Sequence, residues 1–463
     1  MENKKRKTLR EKVANDLAVE RMLAGVSQKE LADRLGTSKS SISRIEHGGQ
    51  NITLDYVSAY VDALGKQISF DVCDPTVEYG DSSIYSLKLY DDELLAFSME
   101  RSGEQACHII YVNEDAKDLL PVDLELSDEG LLYWLRNRTI PKNREMVGRI
   151  LSSLGLDMHD TKGILDIGLG LSLNDSYWIT RSDFEGSFSE YNLYENEFTA
   201  ALSLIAYTGN DRDIRDRFRT SPELTTGGML RKGWRYFGKG ELWLYKGGTF
   251  GYANAGNEPF SEYYASQIAE RMGIDAVKYE LENWMGILAS KCRLFTDIDT
   301  SYIPAGRIVR TGGIDACLKY FKKLGEEFYQ QLADMLVFDA VIINEDRHFG
   351  NFGVLRDNRS GRITAPAPVF DNGISLLCYA VKDDFDDIDR YVRERTNPYG
   401  AGNDFMTLAK RVMGPAQKAK LRRLINFSFT DSDAANPPEW RKHALEQLVQ
   451  ERVRELLKDQ LRI

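Results

Sequence analysis

Apolar side chains recur at Leu9, Val13, Leu17, Met22 and Leu23, close to helical spacing, and predict a first helix over residues 8–24. Over residues 26–48, VSQKELADRLGTSKSSISRIEHG, the pattern splits into two short helices. Ser27 reads as an N-cap, and Glu30 three positions later completes a capping box. Leu31, Ala32 and Leu35 supply the buried stripe, and Gly36 permits the tight turn by which a second helix crosses the first. That second helix, from about Ser38 to His47, buries Ile42 and Ile45 and exposes Lys39, Ser40, Ser43 and Arg44 until Gly48-Gly49 stops it.

From Ile68 the pattern alternates, as in strands: SIYSLKLYDDELLAFSM, then ACHIIYVN. In LPVDLELSDEGLLYWLRNRTIPKNREMVGRILSSLGL the second half reads as helix after Pro141. Gly168 and Gly170 form a bare G-x-G, which predicts a buried turn rather than a phosphate cradle. Further on, ELWLYKGGT (241–249) is strand-like and carries Lys246, and EPFSEYYASQIAERMGI (258–274) is an amphipathic helix with Glu270 on its surface. Leu336–Ile343 reads as the end of an apolar helix. Helices are also predicted over 405–428 and after Pro437-Pro438, and the acidic run 382–390 reads as a solvated loop.

At 463 residues the chain is too long for one compact core, so two or more units are expected. With 42% hydrophobic and 28% charged residues the composition is that of a globular protein, and no apolar run reaches the roughly 18 residues of a membrane helix. The start, MENKKRKTLREK, lacks the apolar stretch of a secretory signal. The five cysteines (Cys73, Cys107, Cys292, Cys317, Cys378) are scattered, which suits reduced thiols in the cytoplasm. The net charge is −11, yet residues 1–66 hold 12 Lys/Arg against 9 Asp/Glu. A mildly basic head on an acidic body suits a head that meets phosphates.

The chemistry concentrates at residues 336–377, LVFDAVIINEDRHFGNFGVLRDNRSGRITAPAPVFDNGISLL. The apolar helix end delivers Asp346, Arg347 and His348 to a loop, with Asn351 five residues after Asp346. A short strand and the polar turn DNRSG follow, and PVF then delivers Asp371-Asn372-Gly373. Phosphoryl transfer needs one carboxylate at the attacking hydroxyl, and a carboxylate and an amide oxygen on Mg2+. Asp346 fits the base, and Asn351 and Asp371 fit the metal ligands. Arg347 and His348 either position the loop or bind phosphate. Lys246 on its strand fits a partner for ATP phosphates. In TTGG the glycines Gly227 and Gly228 permit close backbone approach to phosphates.

Two resemblances follow from these motifs. SQKELA…LG…S.ISRIE resembles the Cro/C1-type (XRE) helix-turn-helix over residues 8–66. It implies a recognition helix in the major groove, with Lys39, Ser40 and Arg44 facing bases or phosphates beside Ser38 and Ser43, and with Gln28 on a phosphate. It also implies a dimer on palindromic operator DNA. NEDRHFGNFGVL…PVFDNGISL resembles the HipA-like kinases, with their pattern N-x-D-R-H-x-x-N…D-x-G-x-S/T-L, over roughly residues 70–450. The D-R-H order is shared with phosphoinositide 3-kinase-like loops, which keeps a lipid kinase open. The HipA-like resemblance implies that Glu262 partners Lys246. It also implies that the segment with Thr225, Thr226 and Lys232 is a phosphate loop in which a threonine replaces an autophosphorylated serine. The implied role is toxin-like, with translation machinery such as an aminoacyl-tRNA synthetase as substrate.

The expectation is therefore an all-α helix-turn-helix head (1–68), a HipA-like N-terminal region (69–220) and a catalytic region with a helical C-terminal lobe (221–463). The body is expected to be α+β and two-lobed, to use ATP and Mg2+, and to make no membrane contact. The competing expectation is a transcription regulator whose kinase-like body senses nucleotide without phosphotransfer.

Overall fold

A computed structural model describes residues 9–68, 84–99, 107–210, 213–215, 218–252, 254–395 and 404–458. Thr8, Cys73, the boundary after residue 68 and residues 459–461 of the expected last helix lie outside them.

Four helices build the head: α1 (Leu9–Leu23), α2 (Gln28–Arg34), α3 (Lys39–Glu46) and α4 (Leu54–Asp62). Ser27 caps α2 in a capping box with Glu30, and Gly36 turns the chain at φ +62°. Leu17, Leu31, Ala32, Ile42, Ile45, Val57 and Tyr60 close its core. Beneath them lies a buried polar node that the apolar pattern does not reveal. Glu46 accepts Arg21 Nε at 2.6 Å and Nη2 at 2.9 Å, Tyr60 Oη at 2.6 Å and Gln28 Nε2 at 2.9 Å. Met22 and Leu23 turn away from this core and pack on the body instead.

The body is α+β, with three antiparallel sheets among the described residues. The first, ordered β3-β2-β1-β4, comprises β1 (Ile84–Leu89), β2 (Asp92–Met99), β3 (Cys107–Val112) and β4 (Tyr177–Arg181). Against it pack α5 (Asp128–Arg136), α7 (Thr161–Gly168) and the single turn α8 (Phe188–Tyr191), while α6 (Val147–Ser153) packs on α9 (Ala200–Thr208), which lies against the second sheet. Helix α5 precedes Pro141, where the sequence pattern placed no helix. Ser127 caps it by accepting from Gly130 N, and Leu131, Trp134 and Leu135 bury one face. Gly170, at φ +56°, sits in a packed turn against Ile179 and Leu165, as expected of a buried G-x-G.

The second sheet, β5-β6-β8-β7, comprises β5 (Lys232–Tyr236), β6 (Leu242–Gly247), β7 (Tyr279–Trp284) and β8 (Ile287–Arg293), and α10 (Glu258–Met272) packs on it. The third, β11-β10-β9, comprises β9 (Thr300–Pro304), β10 (Gly353–Asp357) and β11 (Ile363–Pro366). The remaining helices are α11 (Ala305–Ile308), α12 (Gly313–Leu324), α13 (Glu326–Ile342), α14 (Ile388–Arg395), α15 (Phe405–Val412), α16 (Pro415–Arg422) and α17 (Glu439–Leu457). Ile268, Val337, Phe338, Val341, Leu408, Leu448 and Val449 join α10, α13, α15 and α17 in one apolar core. The acidic run forms a largely exposed 3-10 turn over Lys382–Asp387 that leads into α14. Cys107, Cys292, Cys317 and Cys378 are buried free thiols. Among the described residues no helix is long and apolar enough to cross a membrane.

Candidate functional site

Helix α13 is buried along its second half and ends at Ile343, which takes a left-handed φ of +55°. A β-branched residue there is strained, and the strain falls one residue before the loop Asn344–Asn351. The loop is bonded to itself. Asn344 Oδ1 accepts Asp346 N at 3.1 Å, and Asn351 Nδ2 donates to the Asp346 carbonyl at 3.1 Å. Arg347 carries the structural load. Its side chain has no exposed surface and pairs with Asp339 of α13, Nε to Oδ2 at 3.0 Å. The same guanidinium donates to the carbonyls of Asn351 (3.1 Å) and Phe370 and to Asn372 Oδ1. It thus ties the loop to the turn that begins at Asp371. Of the two roles expected for Arg347, this geometry matches loop positioning. His348 is exposed, and its Nδ1 accepts Gly350 N at 3.0 Å.

Lys246 on β6 lies 2.8 Å from Glu262 Oε1 on α10 and 2.7 Å from Asp371 Oδ1. Glu262 also accepts Asn372 N at 2.8 Å, so one carboxylate sets both the lysine and the turn. Asp371 takes φ +57°, and its N–H donates to Tyr279 Oη at 3.1 Å. Burial alone would lower the Lys246 pKa, but Asp371 and Glu262 outweigh it and hold the ammonium well above its ordinary value. Burial would likewise raise Asp371, and Lys246 and Lys232 hold it below the usual carboxylate range instead. Burial does raise Glu262, against the pull of Lys246. Asp346 is also raised by burial, which the charge of His348 opposes. The two aspartates are therefore driven apart, one towards a proton acceptor and one towards a permanent anion.

The strand register pairs Lys232 with Lys246. Burial lowers Lys232 to about 8, opposed by Asp371 and assisted by Lys246. Its Nζ lies under Gly228, where an added Cβ would meet it at 2.2 Å, and Gly228 has φ +83°. Gly227 and Gly228 are exposed. The threonine hydroxyls before them are engaged with the backbone: Thr225 Oγ1 donates to Leu171 O at 2.8 Å, and Thr226 Oγ1 to Pro222 O at 2.7 Å.

The chain thus brings Lys232, Lys246, Glu262, Asp346, Arg347, Asn351, Asp371 and the glycine pair together at one site. Asp339, Tyr279, Arg144, Glu145 and Glu223 support it, and the sequence reading named none of them. A lone Asp inside the apolar run LVFDAVII was the only signal for Asp339. Among the described residues no group of three His, Cys, Asp or Glu is set to hold a metal alone. A magnesium ion suits this sparse set, because it binds through one or two protein oxygens together with substrate phosphates and water. Asp371 keeps 36% of its side-chain surface open, and Arg347 holds the Asn351 segment beside it.

On the head, Lys39, Ser40 and Arg44 are exposed along α3. Ser43, expected to be exposed, is half-buried, because the spacing that buries Ile42 and Glu46 draws it inward. Ser38 caps α3, accepting Ser41 N at 3.1 Å. Gln28 is half-buried, with its amide nitrogen on Glu46.

The chain is similar to the crystal structure of a Helicobacter pylori proinflammatory kinase, CtkA. The two are 19% identical, the match covers 49% of this chain and 93% of that one, and the TM-score is 0.37. It is also similar to the Shewanella oneidensis MR-1 toxin antitoxin system HipA, HipB and its operator DNA complex. There the identity is 12%, the match covers 81% of this chain and 97% of that one, and the TM-score is 0.47. Scores this low carry no argument about chemistry. No curated protein matches the chain. The helix-turn-helix family model HTH_3 matches residues 17–70. The helical head is a helix-turn-helix domain.

Proposed function

We propose that the body is a Mg-ATP-dependent protein serine/threonine kinase of HipA-like type and that the head directs it to operator DNA. The observation that carries this reading is the convergence of Lys246, Glu262 and Asp371 opposite a self-bonded loop bearing Asp346 and Asn351. Lys246 and, below pH about 8, Lys232 supply positive charge for nucleotide phosphates, and the backbone at Gly227-Gly228 allows their close approach. Asp346, with its raised pKa, orients the acceptor hydroxyl and takes its proton. Asp371 and the Asn351 side-chain oxygen would hold Mg2+, which when bound supplies charge that offsets that developing on the transferred group. On α3, Lys39, Ser40 and Arg44 would meet the major groove, with the chain acting as a homodimer on its operator.

Incubation with Mg-ATP and intact mass measurement test the kinase reading, with Asp346→Ala and Asp371→Ala alongside. Phosphate gain in the wild type alone supports it. ATP binding with no transfer to any protein favours a nucleotide-sensing regulator, and no ATP binding removes both readings of the body.

A further inference from the structure

The segment Thr225–Leu230 is anchored at both ends by two consecutive residues of the region before it. Arg144, fully buried, donates Nη1 to the carbonyl of Glu223 at 2.7 Å and to that of Thr226 at 3.4 Å. Its Nη2 donates to Lys232 O at 3.1 Å and to the Glu223 carboxylate, which also accepts Trp234 N at 2.8 Å. Glu145 secures the other end. Its N–H donates to Met229 O at 2.7 Å, while its carboxylate accepts Arg231 N at 3.1 Å and Nη2 at 2.7 Å. The Arg231 carbonyl in turn accepts Gly247 N at 3.0 Å, next to Lys246. The Arg231 stem fills the space beside Gly247, where a Cβ would approach it to 2.8 Å. Between the anchors stand Gly227, with nothing within 4 Å of a Cβ position, and Gly228 over the Lys232 ammonium.

From this arrangement we infer that Glu145 and Arg231 are positioning residues that fix the glycine loop for nucleotide phosphates. The inference rests on the kinase reading above and gives part of the otherwise unassigned region 69–220 a task. Neither residue need touch the ligand. A loop of two glycines loses much conformational freedom on ordering, and a tether that orders it beforehand removes that loss from binding. The tether therefore acts on phosphate affinity and leaves the nucleoside part of the site alone.

Calorimetry on the full chain separates the two. Mg-ATP and adenosine would be titrated into the wild type, Glu145→Ala, Arg231→Ala and Glu145→Gln, with melting temperatures to verify folding. The expected result is a Kd for Mg-ATP about tenfold weaker in both alanine variants and an unchanged Kd for adenosine. Glu145→Gln, which keeps an acceptor for the Arg231 N–H groups, should stay within about threefold of wild type, since tenfold corresponds to ~1.4 kcal/mol. Wild-type Mg-ATP affinity in the alanine variants, or equal loss of both ligands, would overturn the positioning role alone. A wild-type chain that binds no ATP would overturn the kinase reading with it.

Discussion

Arg347 and Asp339, one turn of α13 plus a loop apart, form an ion pair in which neither side chain has exposed surface. Because the same guanidinium reaches the Phe370 carbonyl and Asn372, the pair is the joint between the loop Asn344–Asn351 and the turn that begins at Asp371. Asp339→Asn leaves a buried cation without its counter-charge, and removing one partner of such a pair costs about 3–5 kcal/mol. Urea unfolding should register that loss as a lower midpoint, and the variant should lose phosphotransfer as well.

Asp346→Asn keeps the shape of the loop and removes the proton acceptor that the kinase reading requires. Nucleotide affinity should stay at the wild-type value while turnover falls by ~10²–10⁴, the span ordinarily contributed by a general base. Calorimetry beside a single-turnover assay checks both halves. Equal loss of binding and turnover would mean that Asp346 serves the nucleotide rather than the hydroxyl.

Lys232 should set an alkaline limb. Its folded value of about 8 lies below that of an ordinary lysine, so its positive charge disappears as pH rises through about 8. The kcat/KM for ATP should fall over that range, and Lys232→Arg should move the fall to higher pH. The stability effect has the opposite sign. Between the lowered folded value and the normal unfolded one, the unfolded chain binds more protons, so stability rises with pH. The cost of burying the charge is fully present below about 8, and any stability gained by Lys232→Met should shrink above it.

On the head, capping and contact are separable. Ser27→Ala removes the α2 cap and should lower the stability of the head by about 1 kcal/mol. Arg44→Ala, on an exposed position, should leave stability unchanged and weaken operator binding by about 1–3 kcal/mol. Thermal unfolding and a salt-controlled binding titration distinguish the two variants.

Residues that announce themselves in sequence do so because their chemistry is local. Ser27 and Glu30 stand three apart, and Asp346 and Asn351 five, so one short segment displays each device whole. The lysine of β6 was legible from the apolar run that carries it. Arg144 and Glu145 were not, since their partners lie about 80 residues further on and nothing in NREMV distinguishes them from surface charge. The burial of Glu46 was hidden as well, because its partners Arg21 and Tyr60 come from other helices. The sheet orders were equally hidden, because antiparallel neighbours such as β6 and β8 are joined through α10 and β7 rather than by a hairpin. Helix α5 carries its own local signal, the Ser127 cap, which the stronger Pro141 signal masks.

Helix α1 belongs to two cores at once. Leu17 packs inside the head with Ile42 and Tyr60, while Val19 packs among Ile150, Leu151, Leu202 and Ile205 of the body. Melting this one helix opens both, so the two cores are expected to unfold together. Any ligand held by the folded head then protects the body by mass action, with a gain that grows with ligand concentration over Kd. Operator DNA should accordingly raise the temperature at which α13 and its core melt, although none of their residues belongs to the head.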